Sequence, residues 1–143
     1  MAKGKQRKRG LVVKRATRGA GFGLFTTKPI EKDDFIIEYT GKKILNSVAD
    51  ELETRYIFEI NSRYSIDGSP RSNLARYINH SCKPNSEPEI DRGHIYIYAF
   101  RNIKEGEELT YDYGKEYFDE FLKGKCRCGF CDGSGKKTKG SQK

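Results

Sequence analysis

Ten consecutive residues, Arg76-Tyr77-Ile78-Asn79-His80-Ser81-Cys82-Lys83-Pro84-Asn85, crowd together a guanidinium, two primary amides, an imidazole, a thiol and a proline. Two Asn, a Ser and a Pro favour turns and local side-chain bonding over a helix. The run is also too polar for an ordinary core strand. Taken singly, Asn79, Ser81, Pro84 and Asn85 each suit a capped turn between strands. Taken together, the ten residues read as a site. A second stretch, Gly21-Phe22-Gly23-Leu24-Phe25, follows Arg15 through a glycine-rich turn. Its glycines let backbone approach backbone in a tight hairpin, or backbone approach a ligand. A phosphate loop is excluded, because no Gly-Lys-Ser/Thr ending and no helical pattern follow. Four cysteines, Cys82, Cys126, Cys128 and Cys131, complete the reactive inventory. Three lie within six residues, where disulfide geometry is awkward, so metal binding is the better expectation.

The elements that must position these groups are short. Leu11-Val12-Val13 starts a strand, and Phe35-Ile36-Ile37-Glu38-Tyr39 is β-rich, closed by Thr40-Gly41. A helix is expected over Val48 to about Thr54, capped by Asn46 or Ser47, with Asp50 and Glu51 in its first turns. Arg55 to Ile60 and Tyr64 to Asp67 read as strands. His94-Ile95-Tyr96-Ile97-Tyr98-Ala99-Phe100 is the clearest strand, aromatic and β-branched with period two. Glu108 to Gly114 is a final short strand, and Glu116 to Leu122 a possible short helix. The pattern is mainly β, with frequent turns and little helix.

The 143 residues suffice for one domain with a real core. No apolar run approaches a membrane span, which predicts a protein that stays inside the cell. The net charge of +8 is unevenly spread. Residues 1–18 carry eight Lys or Arg and no acid, and residues 123–143 carry seven with one Asp. The remaining 13 basic and 19 acidic residues give the stretch 19–122 a net of −6. Basic tails of this kind are expected to be solvated and can contact nucleic acid without sequence preference. An acidic body suits a cationic substrate.

Four segments, in order, resemble the SET-domain protein lysine methyltransferases: Gly21–Phe25, Glu38-Tyr39-Thr40-Gly41, Arg76–Asn85, and Glu108-Leu109-Thr110-Tyr111-Asp112-Tyr113. The resemblance covers about residues 11–133. It implies a β-clip of small twisted sheets with a C-terminal pseudoknot, spanning 11–114, and a post-SET segment over 115–134 between basic tails at 1–10 and 135–143. It further implies methyl transfer from S-adenosylmethionine to a lysine amine of a basic protein such as a histone tail. The localisation implied is nuclear or chromosomal in a eukaryote or virus; a bacterial protein would be cytoplasmic or secreted into a host.

By the same resemblance, Gly21, Phe22, Gly23, Arg76, Asn79 and His80 match cofactor-binding positions. Arg15 is either a further cofactor contact or a solvated strand-end arginine. Tyr113 matches the catalytic tyrosine, whose hydroxyl aligns amine and methyl; a phenol with pKa near 10 is not a ready base. Tyr39 matches a residue lining the lysine channel. Tyr111 stands where Phe or Tyr tunes how many methyls are added, and Tyr implies monomethylation. Cys82, Cys126, Cys128 and Cys131 match a four-thiolate structural zinc site. The run Cys126-Arg127-Cys128-Gly129-Phe130-Cys131 is two residues shorter in its last gap than the usual family spacing. The rival reading is a catalytically inactive SET-like module that binds nucleic acid or chromatin through its tails. Loss of Tyr113, Asn79 or His80 would be expected in such a copy, and all three are present.

Overall fold

A computed structural model describes residues 10–16, 21–52, 54 and 56–114. The expected tails, the helix over 116–122 and Cys126, Cys128 and Cys131 lie outside the described residues. Within them, ten strands form four small sheets. β1 (Leu11–Arg15) and β2 (Phe22–Thr26) make an antiparallel hairpin, with Leu11 opposite Thr26 and Arg15 opposite Phe22. β3 (Phe35–Tyr39) pairs antiparallel with β9 (His94–Ala99), which pairs in turn with β8 (Ser86–Asp91). β6 (Tyr64–Asp67) lies between β4 (Lys42–Leu45) and β5 (Ile57–Glu59). Finally, β7 (Asn79–His80) pairs parallel with β10 (Thr110–Tyr111).

The core lies where apolar strand faces meet. Ile36, Ile37, Ile95, Ile97 and Ala99 from the β3–β9–β8 sheet pack with Leu24, Ile30, Ile78, Ile103 and Leu109, all buried. β-Branched residues dominate because they fill a pleated face with little rotamer entropy to lose. Arg92 and Gly93, both at positive φ, form the two-residue turn that fixes the β8–β9 register.

Four local expectations change. The helix is a single turn, α1 (Asn46–Ala49), and no side chain caps it. Asn46 instead donates to the Asn61 carbonyl at 3.0 Å and accepts from Ser65 Oγ, tying α1 to β6. Asp50 therefore sits at the C-terminal end, away from the favourable pole of the dipole. The glycine-rich turn continues as β2 rather than as an isolated apolar pair, because β1 and the Glu107–Leu109 backbone both bond to it. The final strand shrinks to Thr110–Tyr111. β4, β7 and β8 are additional strands, β7 arising inside the polar run that read as turns because β10 supplies its backbone partners. No helix among the described residues is long and apolar enough to cross a membrane.

Candidate active site

The parallel pairing of β7 with β10 joins the two most reactive segments: Asn79 lies opposite Thr110 and His80 opposite Tyr111. Asn85 locks that junction. Its Oδ1 accepts from Thr110 N–H at 2.9 Å, and its Nδ2 donates to the Glu108 carbonyl at 2.8 Å. Asn85 is buried and its two partners are half-buried, so both bonds are partly shielded from competing water.

Around the junction runs a line of rings. Tyr39 meets Phe58 at 5.3 Å between centroids, Phe58 meets Tyr111 at 6.2 Å, and Tyr111 meets Tyr113 at 4.9 Å. His80 closes the line edge-on to Tyr113 at 5.4 Å. The Tyr39 hydroxyl donates to the Tyr56 carbonyl at 2.8 Å. The Tyr113 hydroxyl donates to the Ile78 carbonyl. Both phenol tips are thus aimed by backbone rather than left to rotate. His80 Nδ1 accepts the Tyr113 backbone N–H at 3.1 Å, which places its proton on Nε2, 3.4 Å from Cys82 Sγ. Burial pushes the His80 imidazole below its ordinary pKa; the Asp112 carboxylate, 3.8 Å away, works against that shift. A neutral ring is what the Tyr113 bond requires.

A second cluster stands beside the glycine turn. Asn79 Nδ2 donates to the Phe22 carbonyl at 2.9 Å and to Glu108 Oε2 at 2.8 Å. Phe22 is 56% exposed, with the Arg15 guanidinium 5.8 Å from its ring centroid. An apolar ring so open at a glycine turn is available to stack on a ligand. Gly21, at φ 83°, takes the left-handed conformation that ends the turn, and its carbonyl accepts from Ala16 N–H at 2.7 Å.

Arg76 points elsewhere. Its guanidinium lies over the Tyr56 ring at 4.1 Å and near Tyr77 at 5.2 Å, and it donates to the Ser69 carbonyl. Its Nε is buried without a hydrogen-bond partner among the described residues. Of the six sequence-derived cofactor positions, Gly21, Phe22, Gly23, Asn79 and His80 flank the β2–β7 side, and Arg76 stands against Tyr56. Among the described residues no three His, Cys, Asp or Glu side chains gather as a metal site. Cys82 is half-buried beside His80. His94 is engaged with Glu38 at 2.8 Å.

Phe58, Glu108 and Asn85 escaped the sequence reading of individual site residues. In sequence Phe58 is one aromatic within the strand read over Arg55 to Ile60. Glu108 and Asn85 sat inside recognised motifs, yet only their contacts reveal what they hold.

Known proteins resemble the chain along the same stretch. Over 121 residues, 76% of this chain, it is 40% identical to histone-lysine N-methyltransferase trithorax of Drosophila virilis. Over 125 residues, 79% of the chain, it is 40% identical to histone-lysine N-methyltransferase 2D of Homo sapiens. Over 120 residues, 75% of the chain, it is 42% identical to the histone-lysine N-methyltransferase, H3 lysine-4 specific, of Schizosaccharomyces pombe. The chain spans only 3%, 2% and 13% of those relatives' respective lengths. A family model described as SET domain matches residues 21–114, from the glycine turn beside Asn79 to just past Tyr113. With the ring line and the Asn79 cluster both inside that span, the chain belongs to the SET domain family.

Proposed function

We propose that this chain is a protein lysine N-methyltransferase acting on a lysine of a basic protein, with a histone tail as the substrate class. The observation that carries the reading is the β7–β10 pairing, which brings the Asn79 cluster and the Tyr39–Phe58–Tyr111–Tyr113 rings together at one junction. S-Adenosylmethionine, when bound, supplies an electrophilic methyl on a sulfonium. The donor chemistry fits: Asn79 is a polar amide beside the exposed Phe22 ring, suited to a ligand with a charged end and an aromatic base.

The aromatic line is the lysine side of the site. A lysine ammonium with pKa about 10.4 must lose a proton before it can attack, and an apolar ring-lined passage favours the neutral amine by desolvation. Tyr39 and Tyr113 have their hydroxyl hydrogens committed to the Tyr56 and Ile78 carbonyls, so towards an incoming amine their oxygens act as acceptors. That arrangement orients the nitrogen along the methyl–sulfur axis; it does not remove the proton, which leaves to solvent. Alignment is the main source of rate. Tyr111 narrows the passage next to Tyr113 and favours the monomethyl product.

The domain extends over 11–114, because Leu11 and Val13 pack against the same core. Cys82 with Cys126, Cys128 and Cys131 would hold one zinc ion in a closed structural site, and a thiol beside the neutral His80 suits that donor set. The test is mass spectrometry of a histone H3 peptide spanning lysine 4, the residue for which the Schizosaccharomyces pombe relative is named. One methyl should be added by the wild-type chain with S-adenosylmethionine and about 100-fold more slowly by Tyr113→Phe. Transfer that is undiminished in Tyr113→Phe would reject the tyrosine's role, and absence of nucleoside binding in zinc-replete protein would reject the enzyme. Metal analysis of the full chain should find one zinc per molecule, lost in Cys82→Ser.

A further inference from the structure

The Asn79 amide is held by acceptors on two sides, the Phe22 carbonyl at 2.9 Å and a Glu108 carboxylate oxygen at 2.8 Å. Neither can donate in return, so its NH2 is turned to these two protein acceptors, and its Oδ1 accepts no hydrogen bond among the described residues. Glu108 is anchored through its own backbone: its carbonyl accepts from Asn85 Nδ2 at 2.8 Å, and it bridges antiparallel to Phe25. Gly23 supplies the room. A Cβ there would lie 2.4 Å from Glu108 Oε2 and 3.3 Å from Asn79 Nδ2. The close approach that requires this glycine is therefore a carboxylate meeting an amide. Two segments distant in sequence converge on one side chain.

We propose that Glu108 is a positioning residue that sets the polarity of the cofactor site. By holding the Asn79 NH2 it presents Oδ1 as an acceptor, which favours a nucleoside thioether or sulfonium bearing an α-amino group over one without it. The inference rests on the methyltransferase reading above and adds the residue that gives that site its direction. Removing the amino group from the ligand leaves the acceptor without its charged donor, a loss of about 10- to 100-fold in affinity.

Calorimetry on the full chain, without turnover, tests this with S-adenosylhomocysteine and its desamino analogue. The wild type should prefer the amino-bearing ligand by about 10-fold or more. Glu108→Gln, which can keep an oxygen towards Asn79, should retain that preference, whereas Glu108→Leu should reduce it to about 3-fold or less. Equal binding of the two ligands by the wild type, or a full preference in the folded Leu variant, would overturn the proposal. Should Glu108→Leu fail to fold, the ligand-free wild type decides the matter by nuclear magnetic resonance. Both Asn79 side-chain amide protons should be protected from exchange; exchange as fast as in a free Asn side chain would overturn it. Binding of neither nucleoside would sink the methyltransferase reading, and the amide measurement would still decide whether Glu108 holds Asn79.

Discussion

Tyr113 is fixed at both ends, by its hydroxyl on the Ile78 carbonyl and by its backbone N–H on His80 Nδ1. Tyr111, 6% exposed, leans on it at 4.9 Å and on Phe58 at 6.2 Å. A ring gripped on both sides has little room to swing away, so in the proposed lysine passage its hydroxyl volume would be a fixed obstacle to a bulkier amine. Tyr111→Phe should convert a product that stops at one methyl into one with two or three as the major species. Mass spectrometry of the peptide after extended incubation checks this, and an unchanged product ladder would remove Tyr111 as the gate. At this scale Tyr39, Tyr111 and Tyr113 stood out in sequence as candidates because each lies inside a recognisable motif, and the structure brings their rings into one line. Phe58 was not, since an isolated strand aromatic carries no positional signature until its neighbours are known.

At the scale of elements, β10 is two residues long and depends on side chains from outside itself. Asn85→Ala would remove its bonds to the Thr110 N–H and the Glu108 carbonyl in a part-buried setting, costing about 2 kcal/mol. Urea unfolding should show the loss as a lower midpoint with an unchanged slope. The turn before β10 is held by Glu107, whose carboxylate accepts from Lys104 N–H at 2.7 Å and from Arg101 at 2.9 and 3.3 Å. Burial acts to raise the Glu107 pKa, but these hydrogen bonds and the two positive charges outweigh it and hold the carboxyl below its usual 4.5. Its stabilisation is therefore complete above pH 4.5 and disappears as pH falls through the lower folded value. Glu107→Gln should cost about 0.5 kcal/mol at neutral pH, as expected of a partly exposed pair, and nothing in strong acid. Denaturation of both proteins across that range checks the convergence. β9 was legible from its period-two apolar residues. β8 was hidden because Ser86-Glu87-Pro88-Glu89-Ile90-Asp91 is polar and contains a proline, acceptable only on the sheet edge it occupies. The helix was overextended because Asn46 looks like a cap in sequence, whereas Ser65 and Asn61 claim its side chain.

For the whole molecule, the charge distribution bears on how the proposed basic substrate would arrive. The stretch 19–122 carries a net charge of −6 within a chain of +8. At physiological ionic strength exposed charges are screened beyond about 8 Å, so attraction between this acidic body and a lysine-rich peptide must weaken as salt rises. The KM for an H3 peptide should climb several-fold between low and high salt, while S-adenosylhomocysteine affinity changes little. Steady-state kinetics and calorimetry at matched salt concentrations separate the two, and a salt-independent KM would exclude electrostatic recruitment by the body.

The sequence alone determined the class of fold, the order of the motifs and the residue types available for chemistry, because those depend on local periodicity and on spacing along the chain. It singled out Asn79, His80, Tyr111 and Tyr113 as candidates for that chemistry before any contact was known. Only the tertiary structure decided which of them meet. The parallel β7–β10 pairing, the acceptors around the Asn79 amide and the turning of Arg76 towards Tyr56 all join residues far apart in sequence. Such contacts depend on where each strand finds its missing hydrogen-bond partners and on which side chains the packed core leaves room for. No local pattern carries that information.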